Sequence, residues 1–260
     1  MLLTIDIGNT NITLGIFQIK SGRAIKKPLK IWRLSTDANN TSDEYALKLL
    51  DLFKYSLIEY KQIKAIAIAS VVPYLNDTFE EISINYFKIK PFFVEATNQS
   101  YLKIKYDNPK EIGADRIADG VAAYEFFGGP IVIIDFGTAT TFDCVSKKGE
   151  YLGGAIVPGI MVSAESLAKR TAKLPLVEIK KTKNIIAKST ITGIQSGLYY
   201  GYVGLVREIL AGIAKELPNS KVIATGGLAP LITNDIKQVK AIVPELTLEG
   251  IRILWNFNKK

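Results

Sequence analysis

With 260 residues, 48% of them hydrophobic and 22% charged, the chain is long enough for a large core and too apolar to be disordered. It has no histidine and a single cysteine, Cys144, which excludes zinc–histidine sites, Ser-His-Asp triads, histidine general bases and internal disulfides. The formal charge of +8 raises the question of a nucleic-acid partner. However, the basic residues gather at 20–30 and 180–188, with Lys259 and Lys260 at the tail, and no stacking aromatics lie between them. These clusters read as solvated loops, and no nucleic acid is expected. Acid–base chemistry is left to carboxylates, Lys, Tyr or the lone thiol. No apolar run approaches the ~18 residues of a membrane span, and the first strand, which already holds Asp6, lacks the pattern of a signal peptide. A cytoplasmic location without membrane attachment is expected.

In chain order, a strand over 2–6, a turn at 8–11, a strand over 12–17 and a third over 29–34 form an antiparallel meander, with Gly22 and Pro28 bracketing a basic turn. A helix follows, capped by Thr41 or Ser42 and carrying Asp43 and Glu44 in its first turn, where the helix dipole favours negative charge. Its Leu47, Leu50, Leu52, Phe53 and Leu57 recur at helical spacing and are expected to face the core. A strand over 65–69, a helix over 74–87 and an edge strand over 91–94 come next. Residues 106–112 form a loop, and Gly113-Ala114-Asp115-Arg116 enters a helix to about Phe127. Gly128-Gly129-Pro130 ends it. Strands at 131–135, 139–145 and 150–156 then repeat the opening meander, and Pro158 and Gly159 begin a helix through Ala168. A long helix over 189–217, Gly-rich at its start, leads to a strand at 221–224, which delivers Thr225-Gly226-Gly227 into a further helix. An amphipathic helix over 246–255 closes the order.

The repeat centres on Ile131-Val-Ile-Ile-Asp135-Phe-Gly137-Thr138, a buried strand ending in a carboxylate and a hydroxyl-rich turn, and on its near copy Leu3-Thr-Ile5-Asp6-Ile7-Gly8-Asn9-Thr10-Asn11. Asp6 and Asp135, like Gly8 and Gly137, share one offset, 135 − 6 = 129. Neither a Walker loop nor a Gly-x-Gly-x-x-Gly turn is present. Glycine admits a phosphate close to the backbone, Asn9, Thr10, Thr138, Thr140 and Thr141 offer donors, and Asp6 and Asp135 offer oxygens to a hard cation. Either turn alone reads equally well as an Asp-x-Gly turn bonding its own backbone. Recurrence in one strand–turn–strand context favours function.

Duplicated units of this kind with a late Gly-Gly turn resemble the ATPase superfamily of actin, sugar kinases and heat-shock chaperones. Within it, Asp6-Ile-Gly-Asn-Thr-Asn11, Tyr106-Asp-Asn-Pro109, Gly113-Ala-Asp-Arg116, Asp135-Phe-Gly-Thr-Ala139, Gly153-Gly-x-Ile-x-Pro-Gly159, Gln195-Ser-Gly-x-x-x-Gly201, Thr225-Gly-Gly227 and Leu246-Thr-Leu-Glu-Gly-Ile-Arg252 together resemble type III pantothenate kinase. The resemblance implies an α/β fold of two actin-like (ribonuclease H-like) units, each a mixed sheet with flanking helices. Residues 1–117 would carry the first phosphate loop and acceptor loop, and 118–260 the second phosphate loop and adenosine turn.

It further implies transfer of phosphate from ATP to the primary hydroxyl of pantothenate, the entry step of coenzyme A synthesis, by a homodimer. Asp115 would be the general base. Asp6, Ile7, Gly8, Asn9, Thr10, Asn11, Ile12, Thr13, Thr138, Gly226 and Gly227 would meet ATP. Tyr106, Gly113, Ala114, Asp115, Arg116 and Thr190 would line the pantothenate pocket. Asp135 would bind a monovalent cation, K⁺ or NH₄⁺, and Asp6 would serve the Mg²⁺ that accompanies ATP. The rival readings are a kinase or phosphatase for another small molecule on the same fold, and a non-catalytic regulatory relative. The Tyr106–Pro109 and Gly113–Arg116 segments argue against the first, and Asp6, Asp115, Asp135 and Thr138 together argue against the second.

Overall fold

The computed structural model describes residues 1–259, so Lys260 of the basic tail lies outside the described residues. The chain forms two compact units, Met1–Ala122 together with the segment from Glu245 onward, and Ala123–Pro244. This differs from the division expected at 117/118, chiefly because the terminal helix returns to the first unit.

The first unit contains β1 (Leu2–Ile7), β2 (Asn11–Phe17), a small hairpin of β3 (Ile19–Lys20) and β4 (Arg23–Ala24), β5 (Lys30–Ser35), helix α1 (Ser42–Tyr55), β6 (Ala65–Ser70), α2 (Asn76–Asn85), β7 (Phe92–Phe93), β8 (Lys103–Ile104) and the start of α3 (Ala114–Phe127). Its sheet has the order β5-β2-β1-β6-β7, antiparallel from β5 to β1 and parallel from β1 to β7. Leu2, Leu3, Thr4, Ile5 and Ile7 of the central β1 are buried, so the strand reads as an apolar run rather than an alternation. A 3-10 turn at Pro73–Leu75 replaces the first turn of the helix expected from residue 74.

Thr41 caps α1 in a full capping box with Glu44. The face that α1 buries is Tyr45, Ala46, Leu49 and Phe53, which corrects the expected set. Leu47 is 62% exposed and Leu57 94%. Leu57 has already left the helix, at φ 55° beyond the Ser56 cap, so helical spacing no longer sets its direction.

Helix α7 (Leu246–Asn258) buries Leu246 and every residue from Leu248 to Trp255. Its Glu249 accepts the Lys27 amide at 2.8 Å and pairs with Arg252 at 2.7 Å. Arg252 and Asn256 both donate to the Ala24 carbonyl, at 3.0 and 2.8 Å. Thr247 Oγ1 donates to Asp119 Oδ1 of α3 at 2.7 Å. The Leu246–Arg252 motif is therefore a clasp that joins the β4–β5 loop to α3, and it buries an ion pair only because both partners find further hydrogen bonds. A Cβ on Gly250 would stand 1.9 Å from the Ala118 carbonyl oxygen. Gly250→Ala is expected to cost about 2–3 kcal/mol by overpacking a backbone contact that cannot rotate away. Denaturant unfolding checks this, and an unchanged midpoint would contradict it.

The second unit contains β9 (Ile131–Phe136), β10 (Ala139–Val145), β11 (Glu150–Pro158), α4 (Ile160–Arg170), α5 (Thr190–Glu216), β12 (Lys221–Thr225), a short α6 (Ala229–Thr233) and β13 (Val239–Ile242), which the sequence reading did not anticipate. Its sheet runs β13-β12-β9-β10-β11. Here β9 pairs antiparallel with β10 and parallel with β12, as β1 does with β2 and β6. The duplication is thus present in the strand pairing itself. Asp6 faces Thr13 and Asp135 faces Thr141 across their hairpins, an offset of 141 − 13 = 128 past the turn, so the second turn is one residue shorter.

Buried Val132 and Ile134 pack with Tyr199, Tyr202 and Val206 of α5, and Cys144 is a small residue of the same core. Gln195 and Ser196 are buried where α5 begins, donating to the carbonyls of Glu178 at 3.1 Å and Ile185 at 2.8 Å. The Gln195-Ser196 motif thereby holds the preceding basic loop. Lys181 of that loop pairs with Asp235 at 2.7 Å, and Tyr199 donates to the same carboxylate at 2.8 Å. Burial and that bond push the Tyr199 phenol up to about 12. No helix among the described residues is long and apolar enough to cross a membrane.

Candidate active site

In the first unit the Asp6 turn stands at the carboxyl ends of the parallel pair β1 and β6, where ligands meet α/β sheets. Gly8 donates its amide to the Asn11 carbonyl at 3.0 Å, closing the turn. Asp6 and Thr13 are half-buried, and Asn9, Thr10 and Asn11 are exposed. Ile7 and Ile12 are fully buried core residues, so only their backbone can belong to a binding surface.

The loop before α3 arrives at the same end of this sheet. Asn108 caps a 3-10 turn at Pro109–Glu111 and donates to Glu111 at 2.7 Å. Tyr106 is half-buried two residues earlier. Gly113 packs against Val71, whose amide is bonded to the Ile7 carbonyl at 3.0 Å beside the Asp6 turn. A Cβ on Gly113 would lie 2.4 Å from Asp115 Oδ1. The carboxylate thus folds back over a glycine, accepts the Arg116 amide at 2.7 Å and stands in the first turn of α3. Its charge is favoured there by the amino end of the helix. Asp115 is half-buried, while Ala114 and Arg116 are buried. Hence Asp6, Gly8, Gly113 and Asp115, far apart in sequence, share one end of one sheet.

In the second unit Asp135, the penultimate residue of β9, stands beside Thr225 of the parallel β12. The Gly226 position explains the Thr-Gly-Gly turn. A Cβ there would lie 2.5 Å from Asp135 Oδ1 and 2.6 Å from both the amide nitrogen and carbonyl oxygen of Phe136, and φ is +90°. Only glycine fits. Gly227 is exposed, with open space where a side chain would stand. Thr138 is exposed at the hairpin tip, and its carbonyl accepts the Gly159 amide at 3.0 Å. Thr190 opens α5 next to its cap, Ser189, at the surface.

Two supporting residues escaped the sequence reading. Tyr202 of α5 donates to buried Thr140 and lies 3.2 Å from the Pro158 carbonyl, while burial pushes its phenol up. Thr36 binds the Asp6 turn from the end of β5. For Thr36 a signal existed: it directly follows the third strand of its meander, as Gly159 does in the second.

A strand–turn–strand unit built twice, with a carboxylate at each turn, is the architecture of the actin-like ATPase and sugar-kinase fold. The solved structure of the inorganic polyphosphate/ATP-glucomannokinase from Arthrobacter sp. strain KM is similar over 97% of this chain and 96% of its own, with a TM-score of 0.51 and 16% identity, a likeness of fold alone. Residues 2–212 match the family described as type III pantothenate kinase. The type III pantothenate kinase of Endomicrobium trichonymphae is 49% identical over 98% of both chains. That of Geobacter sulfurreducens is 47% identical over the full length of both. The chain belongs to the type III pantothenate kinase family.

Proposed function

We propose that this chain transfers the γ-phosphoryl of ATP to the primary hydroxyl of pantothenate, at the entry to coenzyme A synthesis. The observation that carries the reading is Asp115, folded over Gly113 at the sheet end that holds the Asp6 turn, in a chain nearly half identical to pantothenate kinases. Asp115 accepts the hydroxyl proton. An ordinary carboxylate suffices, because proton loss comes late in a loose transition state. Gly113, Ala114, Arg116, Tyr106 and Thr190 form the pantothenate contacts, and the Arg116 guanidinium has the fork geometry a substrate carboxylate requires.

The Asp6–Thr13 turn grips the ATP phosphates, and Thr138 contributes a hydroxyl donor. Gly226 and Gly227 offer bare backbone to the adenosine. Mg²⁺ arrives with the nucleotide, with Asp6 as its protein partner. Among the described residues no group of three or more carboxylate or thiol side chains could hold a metal ion. A single carboxylate, Asp135, beside Gly226, suits a singly charged, oxygen-liganded cation better than a divalent one. Bound there, K⁺ or NH₄⁺ would offset phosphate charge. We therefore expect several-fold higher turnover in K⁺ or NH₄⁺ than in Na⁺ at equal ionic strength. Equal rates in all three would remove the cation role of Asp135.

The protein works as a cytoplasmic homodimer in this reading. Support comes from α5, where Gly193, Gly197, Gly201 and Gly204 leave open space for a close-packed partner helix beside Ile191, which is 52% exposed. The test of the function is a panel of pantothenate, hexoses and inorganic polyphosphate with ATP, Mg²⁺ and K⁺. Pantothenate is expected to be the acceptor converted, and conversion of a hexose instead would overturn the assignment.

A further inference from the structure

The two turns are held from behind by the same position of the fold. In each unit the third strand of the meander ends beside the turn, and the next residue donates its amide to a turn carbonyl. Thr36, after β5, donates to Thr10, and Gly159, after β11, donates to Thr138, each at 3.0 Å. The side chains then differ. Thr36 Oγ1 donates to the Gly8 carbonyl at 2.6 Å, so one half-buried residue binds two carbonyls of a four-residue turn. At Gly159 a Cβ would stand 2.4 and 2.5 Å from the Thr138 and Gly137 carbonyl oxygens, so the shorter turn rests directly on bare backbone.

We infer that Thr36 is a positioning residue for ATP: by holding the Gly8 and Thr10 carbonyls to the β5 side, it sets the Asp6 turn to meet phosphates with donors. The inference rests on the reading of that turn as a phosphate site. A carbonyl that swung toward the nucleotide would set a negative dipole against phosphate oxygens, whereas amides and hydroxyls attract them. Two hydrogen bonds to Thr36 prevent that swing. The duplicate reaches the same end without a side chain, so the hydroxyl is an addition confined to the first turn. Thr36 need not touch the substrate. It acts through the turn.

Thr36→Val keeps the shape and the amide bond and removes only the hydroxyl. The KM for ATP is expected to rise about tenfold, the scale of one lost hydrogen bond and an unsatisfied carbonyl, while the KM for pantothenate stays within twofold. Thr36→Ser restores the hydroxyl and is expected to return the ATP KM to within about twofold of the parent. In a thermal-shift titration with ATP alone, the concentration giving half the full shift should move in parallel, which reads binding without turnover. An unchanged ATP dependence in Thr36→Val, equal losses for both substrates, or a serine variant as weak as the valine one would overturn the inference. A parent that is stabilised by ATP yet phosphorylates no pantothenate would overturn the functional reading instead, and the thermal-shift series would still decide the role of Thr36.

Discussion

Asp115→Asn is expected to bind ATP and pantothenate nearly as the parent does and to turn over about 10²–10⁴-fold more slowly, the usual contribution of a positioned general base. The substitution is nearly isosteric. An asparagine Oδ1 can still accept the Arg116 amide, now 2.7 Å from the carboxylate, and still lies over Gly113, where no Cβ interferes. The first turn of α3 should therefore keep its form, with only the proton-accepting charge lost. The split is diagnostic: kcat and kcat/KM fall together, and the KM for ATP stays within a few-fold. A variant that turned over at a near-normal rate would remove Asp115 from the chemistry, although not from the pocket.

Gly226→Ala is expected to lower kcat/KM for ATP by at least about 100-fold, for two independent reasons. The residue sits at φ +90°, where an L side chain is strained, and its new methyl would meet Asp135 Oδ1 and the Phe136 backbone at 2.5–2.6 Å. Something must shift, and the carboxylate is the only flexible group of the three. Its displacement would disrupt the proposed cation position and disturb the turn after β9 that holds Thr138. Activation by K⁺ should vanish in the same variant. Gly227→Ala is the control, because its side chain would enter open space. It should unfold at the parent's midpoint, so any rise in its ATP KM reports the approach of the nucleotide itself. If Gly226→Ala retained parent-like ATP use and K⁺ activation, the account of that turn would fail.

The duplicated meander was legible because β1 and β9 are buried on both faces and announce themselves as apolar runs ended by Asp and Gly. Capping chemistry placed the start of α1, whose Thr41 cap bonds as its residue type dictates, and helical periodicity placed α5. What failed was anything set by a distant partner. Leu47 and Leu57 obeyed helical spacing but faced solvent, because Tyr45 and Phe53 set the buried face and the helix stopped before Leu57. The return of α7 to the first unit depends on Gly250 reaching Ala118 and on Arg252 reaching Ala24, contacts across more than 100 residues that no local pattern encodes. The short β13 was missed for the same reason, since its pairing with β12 defines it. At the site, the acids and glycines were readable as motifs, whereas Thr36 and Tyr202 act through hydrogen bonds visible only once the strands are aligned.

The most direct measurement is ³¹P NMR of the purified protein with pantothenate, ATP, Mg²⁺ and K⁺. Transfer to the primary hydroxyl predicts one new phosphomonoester resonance, split by the adjacent CH₂ protons, growing in step with ADP. ADP appearing with inorganic phosphate alone, or no ester formed on pantothenate while ATP is consumed, would contradict the central claim that this chain is a pantothenate kinase.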